Sequence, residues 1–228
     1  MKSKSKERNS GFRFRRPRAG LAAALLAVLF AWAGPLSAEK VRNHFDSDSI
    51  MRPPGFFDFT VLGEAGPAKW LILSDLNPPS APACAVQVES KRPDGSIAAA
   101  VRRTYQFRDG TSSVFFKKGG SRSGLLLRYV DEKNYLVLLV DGASGEAVLT
   151  SVRDGKSAVL GRGKGTFTDA WQKLGVETSG PSVKASLGDA ALLEGTDPHP
   201  VAGRVGIAAA GPGEARFDEL VFESAEIK

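Results

Sequence analysis

Cysteine and histidine are scarce in this chain. Its 228 residues include one cysteine, Cys84, and two histidines, His44 and His199. One cysteine excludes an internal disulfide, so the folded chain must be held together by packing alone. The histidines lack the spacing of metal ligands, and Cys84 lies in an apolar stretch without a basic neighbour that would favour a thiolate. The sequence therefore predicts a small buried side chain at Cys84 rather than a nucleophile.

A helical pattern is also missing from most of the chain. After residue 38, glycine and proline interrupt the sequence every few residues, and no run has a convincing apolar period of 3.6 residues. Short apolar and β-branched segments recur instead, separated by turn signals such as Asp109-Gly110 and Gly188-Asp189. The expected strands cover residues 56–62, 70–73, 85–90, 98–105, 113–117, 125–130, 135–140, 147–153, 157–160, 171–178, 182–187, 205–209 and 216–223.

The longest apolar run lies near the N-terminus. Residues 21–33 are apolar, eight Lys and Arg residues precede them, and small residues follow up to Ala38. This order is typical of a secretory signal peptide, and the run is short for a membrane span. We therefore expect a signal peptide at residues 1–38, a mature domain at residues 39–228 with no stable membrane span, and a periplasmic or secreted location. An uncleaved anchor is the alternative, and Pro17-Arg18 after Arg15-Arg16 disfavours the twin-arginine route.

The positive charge of the chain belongs mainly to its N-terminus. Residues 1–38 hold eight of the 31 Lys and Arg residues but one of the 25 Asp and Glu residues. The remaining domain therefore has 23 basic and 24 acidic residues. Binding to nucleic acid requires clustered positive charge, so this balance predicts a protein without a nucleic-acid partner.

Residues 124–141 carry the strongest structural signal. Two apolar runs flank a single polar break at residues 131–134, Asp-Glu-Lys-Asn. On a helix this break would be a full polar turn, whereas in a hairpin it is the connection between two strands. Many short strands at this spacing predict an all-β fold of two antiparallel sheets, as a sandwich or jelly roll.

Six short segments of the mature domain also follow one another in a family-like order. The central one has Gly124, Arg128-Tyr129, Asp131 and Asn134-Tyr135 in the pattern G-L-x-x-R-Y-x-D-x-x-N-Y. The others are Phe45-Asp46-Ser47-Asp48, Arg153-Asp154-Gly155, Trp171-x-x-Leu174-x-Val176 with Gly180, Gly203-Arg204-Val205-Gly206-Ile207 and Phe217-Asp218-Glu219-Leu220-Val221-Phe222. The set resembles bacterial concanavalin A-like domains of the laminin-G, lectin and glucanase superfamily, in particular the exported family-16-like and 3-keto-disaccharide hydrolase-like group. The resemblance implies a concanavalin A-like jelly roll over residues 39–228.

The catalytic residues of the family-16 glucanases have no counterpart here. Those enzymes carry Glu-x-Asp-x-Glu on one strand, and the nearest match is Glu219-Leu220-Val221-Phe222-Glu223, whose central position is Val221. Two carboxylates four residues apart on a strand are separated by roughly 13 Å. Glycosidase pairs lie about 5–9.5 Å apart. The sequence also shows no acids that align with those of the 3-keto-disaccharide hydrolase domains.

Because the resemblance includes lectins, the residues around the central turn are candidates for sugar binding. Tyr129 and Tyr135 flank it and could stack on a sugar, while Arg128 and Asn134 could hydrogen-bond to sugar hydroxyls. We call these four residues the hairpin platform. The alternative is that both tyrosines pack in the core or at an edge.

Three aspartates form a second candidate site. Asp46, Asp48 and Asp218 could share a structural Ca²⁺ if the first and last strands pair. A solvated acidic edge is the alternative interpretation.

Three functions are compatible with the sequence. The leading hypothesis is an exported, non-catalytic module that binds a glycan or a cell-envelope polysaccharide. The second is a glycan hydrolase whose carboxylates come from separate strands, and the third is a purely structural envelope protein. The glycan, the oligomeric state and the metal content do not follow from the sequence.

Overall fold

The computed structural model describes residues 38–227, and the predicted signal peptide therefore lies outside the described residues except for Ala38. Between these limits the chain forms strands and turns, with no helix. In the described part of the chain, no helix is long and apolar enough to cross a membrane. The strands are β1 Glu39–Asn43, β2 Phe57–Gly63, β3 Trp70–Ser74, β4 Ala83–Gln87, β5 Ser96–Phe107, β6 Gly110–Lys117, β7 Arg122–Asp131, β8 Asn134–Val140, β9 Glu146–Arg153, β10 Lys156–Lys164, β11 Trp171–Ser179, β12 Ser182–Leu187, β13 Ala190–Thr196, β14 Gly203–Ala210 and β15 Ala215–Ser224.

The strands form two antiparallel sheets. The eight-stranded sheet has the order β13-β12-β11-β6-β15-β4-β3, and β1 pairs with β15 beside this path. The seven-stranded sheet has the order β10-β9-β8-β7-β14-β5-β2. Neighbours such as β15 and β4 are distant in sequence, as in jelly rolls, where the chain passes between two sheets. The prediction of an all-β, two-sheet jelly-roll sandwich is confirmed.

Two strands were not predicted. The first, β1, has the sequence EKVRN, and the other, β13, has the sequence AALLEGT. Charged residues and alanine are depleted in strands, so neither segment has a strand composition. Pairing with a neighbouring strand compensates for this unfavourable composition. β1 pairs with β15, and β13 pairs with β12 across the Gly188-Asp189 turn.

The hydrophobic core fills the space between the sheets. Alternate residues of both sheets meet there, among them Leu125, Leu138, Phe116 and Phe217, which are 0–1% exposed. Side chains that alternate along a strand point to opposite faces. A second apolar cluster therefore lies on the outer face of the seven-stranded sheet, and its buried members are Leu62, Ala99, Val101, Leu126, Tyr129, Tyr135, Val137, Val152 and Ala208.

The central hairpin consists of β7 and β8, as predicted. Leu125 pairs with Leu138, and Asp131 pairs with Asn134 at the turn. A Cβ atom at Gly124 would lie 1.7 Å from the carbonyl oxygen of Leu138, so the two strands approach too closely there for any side chain. The register shifts between Leu127 and Asp131, which marks a β-bulge.

A buried ionic cluster occupies one end of the sandwich and is centred on Arg128. This residue lies in the bulge with a φ of 48° and is 2% exposed. Its guanidinium donates hydrogen bonds to the carboxylate of Asp197 at 2.8 Å and to the carbonyl oxygens of Gly180 at 2.7 Å and Arg108 at 3.1 Å. Because these partners belong to three different connections, one side chain joins turns from both sheets.

Asp197 completes the ionic cluster from the segment between β13 and β14. It is fully buried and also accepts a hydrogen bond from Arg153 at 3.0 Å and one from the backbone of His199. Its backbone N–H donates to the carbonyl oxygen of Pro181. The carboxylate thus balances two arginines, which is the condition under which a buried charge is tolerated.

Replacement of Asp197 tests this cluster. Asp197→Ala leaves Arg128 buried without its carboxylate, and breaking a buried ion pair in this way costs about 3–5 kcal/mol. We expect urea denaturation to show a loss of that size. Glu194→Ala, at an exposed position of the adjacent β13, serves as the control and should change the free energy of unfolding by less than about 0.5 kcal/mol. Equal stability of the two variants would contradict the role given to Asp197.

Candidate functional site

The two tyrosines of the hairpin platform lie together in the outer cluster of the seven-stranded sheet. Tyr129 is 7% exposed and Tyr135 is 3% exposed. Burial raises the pKa of both hydroxyls. The guanidinium of Arg204 lies 5.2 Å from the ring centre of Tyr129, a cation–π distance. This environment favours the packing alternative for both rings.

The polar members of the platform form hydrogen bonds with other groups of the protein. Arg128 belongs to the buried ionic cluster, and its hydrogen bonds are directed at protein groups. The amide of Asn134 donates to the carboxylate of Asp131 at 3.0 Å and accepts from the backbone of Asp154 at 3.1 Å. Asn134 therefore holds the turn of the central hairpin against the next hairpin, between β9 and β10.

The three aspartates proposed for Ca²⁺ do not gather into one site. Within residues 38–227, no group of three or more His, Cys, Asp or Glu side chains has an arrangement that could hold a metal ion. Asp46 lies 3.3 Å from His44, and Asp48 accepts a hydrogen bond from the backbone of Gly55. β1 and β15 do pair, as that hypothesis required, but the aspartates bind protein groups instead.

Asp218 has an unusual environment. It is fully buried and accepts hydrogen bonds from the backbone of Ser80 at 2.7 Å, from the hydroxyl of Ser80 and from the backbone of Glu219 at 2.8 Å. Burial raises the pKa of this carboxyl to about 6, although the hydrogen bonds act in the opposite direction. Asp218 thereby anchors the proline-rich connection between β3 and β4 to β15.

Glu219 and Glu223 lie on β15, whose register is irregular around Glu219. Glu219 has a φ of 52° at an irregularity of β15 and forms a bidentate ion pair with Arg42 of β1. The ion pair occupies both carboxylate oxygens of Glu219. Glu223 lies further along the strand, opposite Lys40 of β1.

A different polar pocket lies on the outer face of the seven-stranded sheet, at the end remote from the central turn. It has a volume of about 230 Å³. Leu139 of β8 and Val148 of β9 are cross-strand neighbours and provide its apolar part. Its polar lining consists of Arg122, Asp141, Glu146, Thr150 and Arg162. We call it the arginine–acid pocket.

Strand register brings the charged groups of the arginine–acid pocket together. Ser123 pairs with Val140, so Arg122 and Asp141 are the next positions at the end of the central hairpin. The backbone of Asp141 donates to the carbonyl oxygen of Glu146 at 2.8 Å across the following turn. Arg162 of β10 is opposite Val148 and forms an ion pair with Glu146.

The acids of the pocket are held in fixed environments. Burial acts to raise the pKa of Asp141, but hydrogen bonds from the backbone of Ala143 and Ser144, together with Arg122, lower it overall. Arg122 in turn donates to the carbonyl oxygen of Asp94 at 2.7 Å. The pocket therefore presents negative oxygens and guanidinium N–H groups side by side above an apolar surface.

The sequence indicates this pocket only when the register of the central hairpin is known. Counted from the paired Leu125 and Leu138, the central hairpin places Arg122 opposite Asp141. Counting residue pairs outward from the turn gives a wrong register, because the bulge near Arg128 adds residues to β7. Glu146 and Arg162 belong to further strands, and their approach depends on another bulge between Val159 and Gly161.

A second groove lies on the outer face of the eight-stranded sheet. It has a volume of about 480 Å³ and crosses β6, β11, β12 and β13 above Gly175. Its lining includes Ser113, Glu177, Lys184 and Glu194, and none of its described lining residues is aromatic. Lys184 and Glu194 are exposed and lie 4.0 Å apart, as is usual on a solvated face. The arginine–acid pocket is smaller but brings its charged groups into closer contact.

Alanine variants of the two tyrosines distinguish packing from a sugar platform. Because both rings are buried, Tyr129→Ala and Tyr135→Ala should each lower the free energy of unfolding by about 3–5 kcal/mol. Thermal melts measure the effect, with Val130→Ala as a control at a 50% exposed position of the same strand. If the tyrosine variants melt like the unchanged protein, the rings are exposed and the platform hypothesis is favoured.

The pH dependence of stability tests Asp218. Because its pKa is raised in the folded protein, the neutral form is favoured, and the associated stability is lost as the pH rises from about 4 through 6. The loss amounts to about 3 kcal/mol. Asp218→Asn has no such titration, so its stability relative to the unchanged protein should rise by that amount between pH 4 and 7. Urea denaturation at several pH values measures this rise.

The control for the pH experiment is Asp189→Asn, at an exposed turn position. Its stability should follow the pH profile of the unchanged protein. An Asp218→Asn profile that is parallel to that of the unchanged protein would show that the carboxyl is not protonated near pH 6.

Comparison with known proteins rests on structure alone. No protein-family model matches the chain, and no curated protein matches it in sequence. Solved structures do match. The carbohydrate-binding module CBM66 from Bacillus subtilis is 19% identical with a TM-score of 0.56, over 75% of this chain and 98% of the module.

Two further structures extend the similarity. A Bacillus subtilis protein of unknown function with a galectin-like fold is 14% identical with a TM-score of 0.54, over 80% of this chain and 94% of that protein. Domain 4 of AbnA, an extracellular GH43 arabinanase from Geobacillus stearothermophilus, was solved in complex with arabinotriose. It is 16% identical with a TM-score of 0.51, over 84% of this chain and 95% of that domain. Together with the two-sheet topology, these matches show that the chain has a concanavalin A-like, galectin-type jelly-roll fold.

Proposed function

We propose that this protein is a non-catalytic carbohydrate-binding module whose ligand occupies the arginine–acid pocket. The observation that carries the proposal is the combination of Arg122, Arg162, Asp141 and Glu146 around an apolar surface in one pocket of about 230 Å³. Sugar-binding sites need polar groups in fixed positions and an apolar surface, because a sugar ring has a hydroxyl rim and apolar C–H faces.

The polar groups of the pocket match the hydroxyls of a neutral sugar. A hydroxyl donates one hydrogen bond and accepts others, so adjacent hydroxyls can bind a carboxylate and a guanidinium at the same time. Glu146 and Arg162 are paired and partly exposed, with side-chain exposures of 42% and 59%. Since the two acids balance the two arginines, the pocket favours a neutral sugar over a strongly charged ligand.

The structural neighbours add support of a general kind. CBM66 is named as a carbohydrate-binding module, and domain 4 of AbnA was solved with arabinotriose. Both share the jelly-roll fold with this chain, although a fold by itself does not determine a ligand. We therefore propose a glycan ligand, such as a cell-envelope polysaccharide, without assigning its sugar from these neighbours.

The environments of the acids support binding rather than hydrolysis. A glycosidase needs two carboxyl groups at the scissile bond, one of which has a raised pKa and acts as the acid. Asp141 and Glu146 are adjacent, but the pKa of Asp141 is lowered and Glu146 is ion-paired with Arg162. Among the described carboxyl groups, the one with a raised pKa is Asp218, which is fully buried in the other sheet.

Export completes the proposal. The basic, apolar and small-residue order of residues 1–38 is typical of a secretory signal. We propose that the mature protein acts in the periplasm or outside the cell, where envelope glycans are accessible.

Substitutions in the arginine–acid pocket test its role. We expect Arg162→Ala and Glu146→Ala each to weaken glycan binding about 10- to 100-fold, since a hydrogen bond to a charged group contributes about 1.5–3 kcal/mol. A panel of neutral polysaccharides in affinity electrophoresis would identify the ligand, and isothermal titration calorimetry with an oligosaccharide derived from it would give the dissociation constants.

The control variant is Arg52→Ala, which removes an exposed arginine outside the pocket. It should bind the glycan like the unchanged protein. Because Arg162 is 59% exposed, its replacement should leave the melting temperature nearly unchanged. Undiminished binding by both pocket variants would place the ligand elsewhere, and failure to bind any polysaccharide would contradict the proposed function.

A further inference from the structure

Buried polar atoms without partners accumulate at one end of the sandwich. Among the described residues, five side chains of this end are at least 95% buried and carry nitrogen or oxygen atoms without a hydrogen-bond partner. They are Trp70, Gln87, Arg92, Ser96 and Ser123. Such atoms are rare in native proteins, and a bound water or ion commonly satisfies them.

The topology brings these side chains to the same end. Trp70 of β3 and Gln87 of β4 are cross-strand neighbours. The residues two positions along each strand, which share their face, lie in the core. The segment from Gln87 to Ser96 then crosses to the start of β5 in the other sheet. Ser123, at the start of β7, pairs with Ala209 near the end of β14.

Arg92 lies within the crossing segment and is 4% exposed. One of its amino groups, Nη1, donates a hydrogen bond to the carbonyl oxygen of Ala209, whereas Nε and Nη2 have no partner among the described residues. Burial lowers the pKa of Arg92, and the charge of Glu89 acts in the opposite direction. Among the described residues, Arg92 forms no ion pair with Glu89. A guanidinium without a carboxylate is costly in a protein interior unless another negative charge balances it.

The unpartnered atoms are mostly donors. Arg92 offers N–H groups at Nε and Nη2, and Trp70 offers its indole N–H. The amide of Gln87 offers an NH₂ group, and its oxygen is the one unpartnered atom of this set that can only accept. The two serine hydroxyls can also donate. A buried guanidinium with free N–H groups, at the same end of the sandwich as further buried donors, is complementary to an anion, and we propose that this end of the sandwich binds a small inorganic anion through Arg92.

Arg102 is another buried arginine without a carboxylate partner, and its surroundings differ from those of Arg92. The guanidinium of Arg102 lies 5.5 Å from the ring centres of Phe56 and Phe57 and 5.6 Å from that of Tyr105. Three aromatic faces stabilise its charge by cation–π interactions. No aromatic ring is found at a cation–π distance from Arg92 among the described residues. Arg102 is therefore a matched control for Arg92.

Bromide provides a direct probe of the site. Crystals of the protein grown or soaked in sodium bromide should show an anomalous peak within hydrogen-bond distance of Nη2 of Arg92. A peak of ordinary water density at this position, or bromide found on the surface alone, would overturn the proposal.

Thermal melts give an independent test in solution. At constant ionic strength, replacing sodium gluconate with sodium bromide should raise the melting temperature, by about 3–6 °C for each tenfold increase in bromide above its dissociation constant. Arg102→Met should keep this rise and Arg92→Met should lose it. An equal rise in both variants would overturn the proposal, and if Arg92→Met does not fold, the anomalous peak decides. Neither test involves a glycan, so the outcome is independent of the proposed function.

Discussion

The bulge that turns Arg128 into the interior is the constraint on which the seven-stranded sheet depends. Arg128 joins the turns at Arg108 and Gly180 to Asp197, and so connects both sheets at one end. Removing two charges from water is expensive, and the hydrogen bonds compensate only when all the partners are in place. The cluster therefore favours the arrangement in which several turns meet, and it fixes the position of the central hairpin relative to its neighbours.

The same register extends to the arginine–acid pocket at the opposite end of the hairpin. Beyond the bulge, β7 and β8 pair regularly to Ser123 and Val140, and this pairing carries Arg122 to Asp141. A shift by one residue would exchange the two faces of the strand and bury the pocket side chains. The pocket and the ionic cluster thus depend on the same register of β7 and β8, although the two share no residue.

The sequence predicted the parts of the structure that depend on local pattern. The alternation and the polar break located the central hairpin, and the recurrence of turn signals indicated two sheets. The face of the strand on which each residue lies was harder to predict. Leu126 and Tyr129 share the outer cluster although an odd number of positions separates them. A bulge produces this exchange, and it leaves Arg128 inside although its sequence position suggested a residue that contacts a ligand.

The distribution of acids connects the fold to the proposed function. Asp197 and Glu219 are buried and paired with arginines, so both carboxylates contribute to the structure. Asp218 has the raised pKa of a potential acid, but its burial against Ser80 keeps it away from any ligand on the surface. Asp141 and Glu146 face the pocket, yet turn amides and Arg162 hold them as hydrogen-bond acceptors. Acceptors fixed in this way suit the recognition of hydroxyl groups, whereas cleavage of a glycosidic bond requires a neutral carboxyl beside them.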